Sequence, residues 1–185
     1  MKAAVFIDKD GTLVKDVPYN TDPAHVQLRE EAVDALRRLQ AAGFELVLVS
    51  NQAGVALGRF AERRLERLWL HLRKTLAHAG VDLAAFYYCP HHPQGAVPAY
   101  AVECDCRKPK PGMLERAARE RNIDLARSWM IGDILDDVEA GHRAGCRAIM
   151  LDVGSETEWH ESPLRAPEFY ARDLDAASHY ILAST

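Results

Sequence analysis

Ala3-Ala4-Val5-Phe6-Ile7-Asp8-Lys9-Asp10-Gly11-Thr12-Leu13 is the stretch from which the rest of the chain can be read. Five apolar residues run without a break, stop at a carboxylate, and are followed by a second carboxylate and a turn-forming glycine. An uninterrupted apolar run of this length predicts a strand buried on both faces, feeding a functional loop. The pattern recurs at intervals. Leu46-Val47-Leu48-Val49 ends at Ser50-Asn51-Gln52, Ala85-Phe86-Tyr87-Tyr88 ends at Cys89, and Trp129-Met130-Ile131 ends at Gly132-Asp133; Ala148-Ile149-Met150-Leu151 is a fifth such run. Between the runs lie amphipathic stretches of helical period. One spans Glu30 to Ala42, with Ala32, Val33, Leu36 and Leu39 and a stop at Gly43. The next runs from about Glu62 to His78, with Leu65, Leu68, Trp69, Leu72 and Leu76 on one face and Gly80 closing it. Pro111 opens a third, covering Met113, Leu114, Ala117 and Ala118, and a fourth lies around Asp137 to Arg143.

Strand and helix alternate at βαβ spacing, so the expected fold class is α/β, a doubly wound, mainly parallel sheet with flanking helices. Polar residues collect just past the carboxyl ends of the strands, where such sheets place their sites. Residues 90–110 are rich in Pro, Cys, His and charge with little periodicity, and a loop that long needs an internal organiser. Beyond residue 151 only a closing helix from Leu174 to Leu182 is legible, and one domain is expected over residues 1–185.

Composition narrows the function. The 185 residues are 48% hydrophobic and 27% charged, which describes a globular chain able to bury a core without disulfides. Lys and Arg number 23 against 27 Asp and Glu, a net charge of −4, which gives no footing for nucleic acid or an anionic membrane as partner. Mean hydropathy is −0.23, and no apolar run approaches the roughly 20 residues of a membrane span. The first residues reach a charge too soon for a signal-peptide core, so a cytoplasmic protein is expected.

Asp8 and Asp10 suit one chemistry well. The first carboxylate attacks a phosphorus atom; the second protonates the leaving oxygen and then activates the water that cleaves the acyl phosphate. Two carboxylates repel a phosphate, so the site needs a divalent cation. Other readings of the hexapeptide are an ordinary Asp-Gly surface turn and a calcium loop. The calcium loop fails, because its sixth and twelfth positions are Leu13 and Tyr19 instead of Gly and Glu. The other strand ends supply what phosphoryl transfer requires. Ser50, Asn51 and Gln52 offer a hydroxyl and amide donors, and Arg107-Lys108 brings two cations. Asp133, with Asp136 and Asp137 following, offers oxygen ligands, and hard oxygen donors with a phosphate favour Mg²⁺.

Three of the four cysteines crowd one segment. Cys89-Pro90-His91 and Cys104-Asp105-Cys106 bracket a loop, and three thiolates with one imidazole match a closed tetrahedral Zn²⁺ site of structural type. Free buried cysteines are the plainer alternative, and His92 is a second candidate ligand whose spacing fits less well. Cys146 stands alone and reads as a small core residue. Since Cys106 immediately precedes Arg107-Lys108, a metal on this loop would hold both cations toward the substrate.

The four strand-end motifs together resemble the haloacid dehalogenase superfamily of phosphohydrolases. That resemblance implies Asp8 as nucleophile and Asp10 as general acid/base, with Ser50 and Lys108 holding the phosphoryl group. It also implies Mg²⁺ on Asp8, Asp133 and the backbone carbonyl of Asp10. Cys-Pro-His-His-Pro-Gln-Gly from Cys89, Cys-Asp-Cys-Arg-Lys-Pro from Cys104 and Ser-Asn-Gln-Ala-Gly from Ser50 are similar to the D-glycero-D-manno-heptose 1,7-bisphosphate 7-phosphatase family, as far as about Gly154. This implies a compact, nearly capless enzyme acting on a sugar bisphosphate in nucleotide-heptose biosynthesis, and the short chain without a spare helix pair favours a monomer. Arg107 would recognise the uncleaved phosphate, and the turn from Asp16 to Tyr19 would touch substrate. The sequence departs from the family at Ile134, where a basic residue often stands, and in the middle of the Asp16–Tyr19 turn. The competing functions are histidinol-phosphate phosphatase, which Arg107 disfavours because histidinol carries a cationic amine, and a sugar-phosphate-binding module without turnover.

Overall fold

The structure, a computed structural model, describes residues 1–184. The central strand β1 (Ala4–Asp8) is buried along its whole length, as its unbroken apolar run requires. It lies between β2 (Glu45–Asn51) and β4 (Trp129–Gly132), and the sheet reads β3-β2-β1-β4-β5-β6 with every pairing parallel. Here β3 is Leu83–Cys89, β5 is Arg147–Leu151 and β6 is Phe169–Ala171. The order reverses at β1, which makes the carboxyl end of β1 the crevice of a doubly wound sheet.

Alternation along β1 sorts the core into two layers. Val5 and Ile7 face α1 (Ala32–Ala41), α2 (Arg63–His78) and α5 (Leu174–Ala183), among Leu36, Leu68 and Ile181. Ala4 and Phe6 face α3 (Gly112–Arg121) and α4 (Leu135–Ala144), among Leu114 and Val138. In α2, Leu65, Leu68, Leu72 and Leu76 are all fully buried, the spacing of a stripe facing a sheet. Trp69 sits at the margin of that stripe and packs on Phe86 at 5.9 Å between ring centroids. α3 stops where Asn122 takes a left-handed conformation, φ 57°.

The five expected strands and the flanking helices are present, with ends shifted by one or two residues. Two departures matter. α4 begins at Leu135, earlier than its periodicity suggests, so its first turn directly follows Asp133. A sixth strand, β6, extends the sheet beyond β5. It is three residues long, too short to show a period. The segment between β5 and β6 is pinned to α4: Arg165 meets Asp136 and Glu139, each at 2.6 Å, and His142 Nδ1 donates to the Leu164 carbonyl at 2.9 Å. Among the described residues no helix is long and apolar enough to cross a membrane.

Candidate active site

Strand register carries the site. Asp8 pairs with Val49 and Ile7 with Ile131, so Ser50 and Asp133 both lie one residue beyond the level of Asp8, on the strands either side. Lys108 reaches in from the loop before α3 and is 2% exposed. Its Nζ donates to Asp8 Oδ1 at 2.6 Å and lies 2.5 Å from Asp137 Oδ1. Asn51 fixes that loop through both ends of its amide: Oδ1 accepts from the Lys108 backbone N–H at 3.0 Å and Nδ2 donates to the Lys108 carbonyl at 3.1 Å. Gln52 Nε2 donates to Ser50 Oγ at 2.8 Å and to Asp10 Oδ2 at 3.1 Å, linking two residues of the expected chemistry. Lys9, itself buried, pairs with the other oxygen of Asp10.

Two glycines make room for these groups. Gly11 has φ +85°, and a Cβ there would stand 1.9 Å from Asp133 Oδ2, so neither the turn nor the approach tolerates a side chain. A Cβ on Gly132 would stand 2.2 Å from the Asp137 carboxylate. That closeness lets Asp137 Oδ2 accept the backbone N–H groups of Asp133 at 3.2 Å and Ile134 at 3.3 Å. Asp133 Oδ1 in turn accepts from Thr12 Oγ1 at 3.1 Å.

Asp8, Asp133 and Asp137 place oxygens within 4.8 Å of one another, all of them buried. One ammonium faces three carboxylates, so negative charge is left over. Burial, followed by the neighbouring carboxylates, pushes Asp8 well above the usual carboxylate range, although Lys108 pulls it down. Burial and then Asp137 raise Asp133 to about 6. Burial alone would lower the Lys108 pKa, but Asp137 and Asp8 outweigh it and raise it. A divalent cation answers that surplus charge, and free carboxylate oxygens are the hard donors it prefers. Asp137 has both oxygens engaged, with Lys108 and with the backbone, whereas Asp8 and Asp133 each keep an oxygen outside those bonds. Sequence reasoning passed over this bracing role of Asp137. Its signal is the four-residue spacing from Asp133 across the start of a helix.

The cysteine segment closes on itself. Cys89 Sγ lies 3.5 Å from Cys104 Sγ, Cys106 Sγ is 3.2 Å from Cys104 Sγ, and His91 Nδ1 is 3.4 Å from Cys106 Sγ. A tetrahedron with Zn–S bonds of about 2.3 Å has S···S edges near 3.8 Å, so a zinc-sized ion fits with a slight expansion. The hydrogen-bonding Cys89 thiol draws the Cys106 thiol down to about 5, a thiolate at neutral pH, while the Cys89 thiol goes up. His92 points elsewhere: its Nδ1 accepts from the Gln94 N–H. Cys146 is buried among Met130, Ala148 and their neighbours, in the layer of α3 and α4.

Arg107 lines a cavity of about 280 Å³ with Cys104, Lys108, Glu103 and Asp136, and its Nη1 is buried without a hydrogen-bond partner among the described residues. Asp16 and Tyr19 occupy an exposed turn, with Tyr19 at φ 56° and the Arg59 guanidinium 5.5 Å over its ring. No hydrogen bond among the described residues ties that turn to the carboxylates.

Known proteins similar to this chain are phosphatases. The HAD-hydrolase-like family matches residues 105–177. D-glycero-beta-D-manno-heptose-1,7-bisphosphate 7-phosphatase of Escherichia coli K12 is 45% identical over 153 residues, 83% of this chain and 76% of that protein. The chain belongs to this phosphatase family. Among solved structures, a HAD-like phosphatase from Mesorhizobium loti superposes with a TM-score of 0.82 at 33% identity, over 97% of this chain and 87% of that one. The D,D-heptose 1,7-bisphosphate phosphatase of B. bronchiseptica, solved with magnesium and phosphate, gives 0.80 at 28% identity over the full length of both. The enzyme is thus a phosphatase of haloacid dehalogenase type.

Proposed function

We propose that the enzyme removes the 7-phosphate of D-glycero-D-manno-heptose 1,7-bisphosphate, through an aspartyl phosphate on Asp8. The observation that carries the substrate reading is Arg107: a buried guanidinium nitrogen without a hydrogen-bond partner among the described residues, next to the Lys108 that grips the nucleophile. A second phosphate is the ligand that would satisfy it.

Lys108 holds Asp8 Oδ1, leaving Oδ2 to attack phosphorus as the bond to the sugar oxygen breaks. Asp10, aimed by Gln52, gives its proton to that oxygen and the dephosphorylated sugar leaves. Asp10 then takes a proton from water, whose oxygen attacks the same phosphorus and frees Asp8 and phosphate. Ser50 and Lys108 hold the phosphoryl oxygens throughout. Asp8, Asp133 and the Asp10 carbonyl would hold Mg²⁺, which would supply the positive charge that lets an anionic ester approach an anionic nucleophile. Cys89, His91, Cys104 and Cys106 would hold Zn²⁺, which would stabilise the loop that delivers Arg107 and Lys108. The reduced thiols that this requires suit the cytoplasm, and the site is complete in one chain, consistent with a monomer.

The deciding measurement compares kcat/KM for heptose 1,7-bisphosphate and histidinol phosphate, with Mg²⁺ and zinc-replete enzyme. Preference for the bisphosphate, with the 7-phosphate released, is expected. Preference for histidinol phosphate would keep the chemistry and discard the substrate.

A further inference from the structure

α4 starts with only half a cap of its own: Asp137, in its first turn, accepts the Ile134 N–H. The residue before it, Ile134, has the extended conformation of an N-cap but no side-chain oxygen to offer the free N–H groups of the first turn. The oxygen arrives from elsewhere. Glu156, in the segment after β5, accepts from the Leu135 N–H at 2.7 Å with Oε2 and from the Glu158 N–H at 2.8 Å with Oε1. The Asp133, Ile134 and Leu135 N–H groups are therefore all held by carboxylates, the first two by Asp137 and the third by Glu156. The same segment touches the metal-facing group itself, since the Ser155 side chain lies against the Asp133 carboxylate and lowers its pKa. Arg165 ties the far end of the segment to Asp136 and Glu139 on α4.

We infer that Glu156 is a positioning residue: as a remote cap on α4, it fixes the turn that aims Asp133 and thereby sets the affinity of the site for its divalent cation. The inference rests on the reading of Asp133 as a metal ligand. Its physical content is preorganisation. Asp133 sits directly before the capped turn, and one carboxylate oxygen is already held by Thr12. Without the cap, the Leu135 N–H must find water or another acceptor, the first turn of α4 frays, and Asp133 loses a fixed backbone. Partners outside the ligand shell commonly change metal affinity by about 10- to 100-fold. The segment that supplies the cap lies after the four strand-end motifs, so a feature outside the catalytic sequence pattern would tune the catalytic metal.

The test is calorimetric titration of Mg²⁺ alone into the zinc-replete wild type and the Glu156→Ala, Glu156→Gln, Asp133→Asn and Trp159→Ala variants. No substrate is present, so an error in the sugar does not affect the outcome. Glu156→Ala is expected to weaken Mg²⁺ binding by roughly tenfold. Glu156→Gln, whose amide oxygen can still accept from Leu135, is expected to stay close to wild type, and Trp159→Ala, an exposed change in the same segment, to match it. Wild-type affinity in Glu156→Ala, with Asp133→Asn defective, overturns this inference and leaves the metal site standing. Undiminished binding in Asp133→Asn overturns both. If Glu156→Ala does not fold, Glu156→Gln decides by itself when assayed with Glu156→Leu. Equal loss in Gln and Leu would mean that charge, not the cap, matters, and the positioning role is refuted.

Discussion

At the edge of the sheet, Cys89, His91, Cys104 and Cys106 turn their donor atoms toward one another; at its centre, Asp8, Asp133 and Asp137 surround an ammonium. The edge cluster uses every donor within itself and leaves no open position, which is how a site built for structure is made. The central cluster has more negative charge than Lys108 can neutralise and leaves oxygens free, which is how a site built for chemistry is made. The dependence between them runs one way. The thiol cluster ends at Cys106, two residues before Lys108, and Asn51 grips the Lys108 backbone on the far side. Disturbing the edge should disable the centre, while disturbing the centre should leave the edge intact.

The largest expected effect tests the independent direction. Asp8→Asn removes the proposed nucleophile and should lower kcat by about 10⁴-fold or more. Bound zinc and the far-ultraviolet spectrum should stay as in the wild type. Appreciable turnover in this variant would rule out covalent catalysis at Asp8, and loss of zinc would break the asymmetry. The dependent direction is tested next. Stripping zinc with a thiol-competitive chelator should abolish most activity, and excess Mg²⁺ should not restore it. Full activity in protein verified to be zinc-free would show that Asn51 and the local backbone hold Lys108 unaided.

The comparison also explains what the sequence made legible. The edge cluster could be read because its ligands are near neighbours along the chain and belong to rare residue types. The strand-end residues Asp8, Ser50 and Asp133 could be read because an apolar run that stops at a polar residue marks the carboxyl end of a buried strand. Asp137 and Asn51 were harder, for their work is to hold other residues. Asp137 accepts backbone N–H groups behind Asp133, and Asn51 spends its amide on a backbone 57 residues away. Nothing local announces such pairings. β6 and Glu156 were invisible for the same reason. A three-residue strand has no period, and a hydrogen bond delivered to Leu135 from 21 residues downstream leaves no local signal beside the helix it serves.

A smaller effect separates delivery of a cation from chemistry. Arg107 and Lys108 come from the same loop, yet only Lys108 touches the nucleophile. Arg107→Ala should therefore lower kcat/KM for the bisphosphate by about 10- to 100-fold, the worth of hydrogen bonds to a charged group. An aryl phosphate, which has no second phosphate, should be hydrolysed nearly as before. An equal loss on both substrates would assign Arg107 to loop structure or to the reaction itself.

The smallest effect concerns protons, and it too should distinguish the two clusters. Burial and Asp137 raise Asp133 to about 6, and Asp8 is raised as well, so in metal-free protein these carboxyls take up protons at milder acidity than free ones do. Mg²⁺ needs them ionised. Its affinity should therefore begin to fall between pH 7 and pH 6, as Asp133 takes up its proton, and below that approach tenfold per pH unit for each proton displaced. Zinc must also displace a proton, because the Cys89 thiol goes up, but structural zinc binds with about 10–16 kcal/mol near neutral pH, so it should stay bound between pH 7 and pH 6 while Mg²⁺ begins to weaken. Calorimetric Mg²⁺ titrations at half-unit steps from pH 7.5 to 5.5, with zinc content measured at each, would show whether the clusters separate. Parallel loss of both metals would mean that acid opens the loop first and that the centre fails as a consequence.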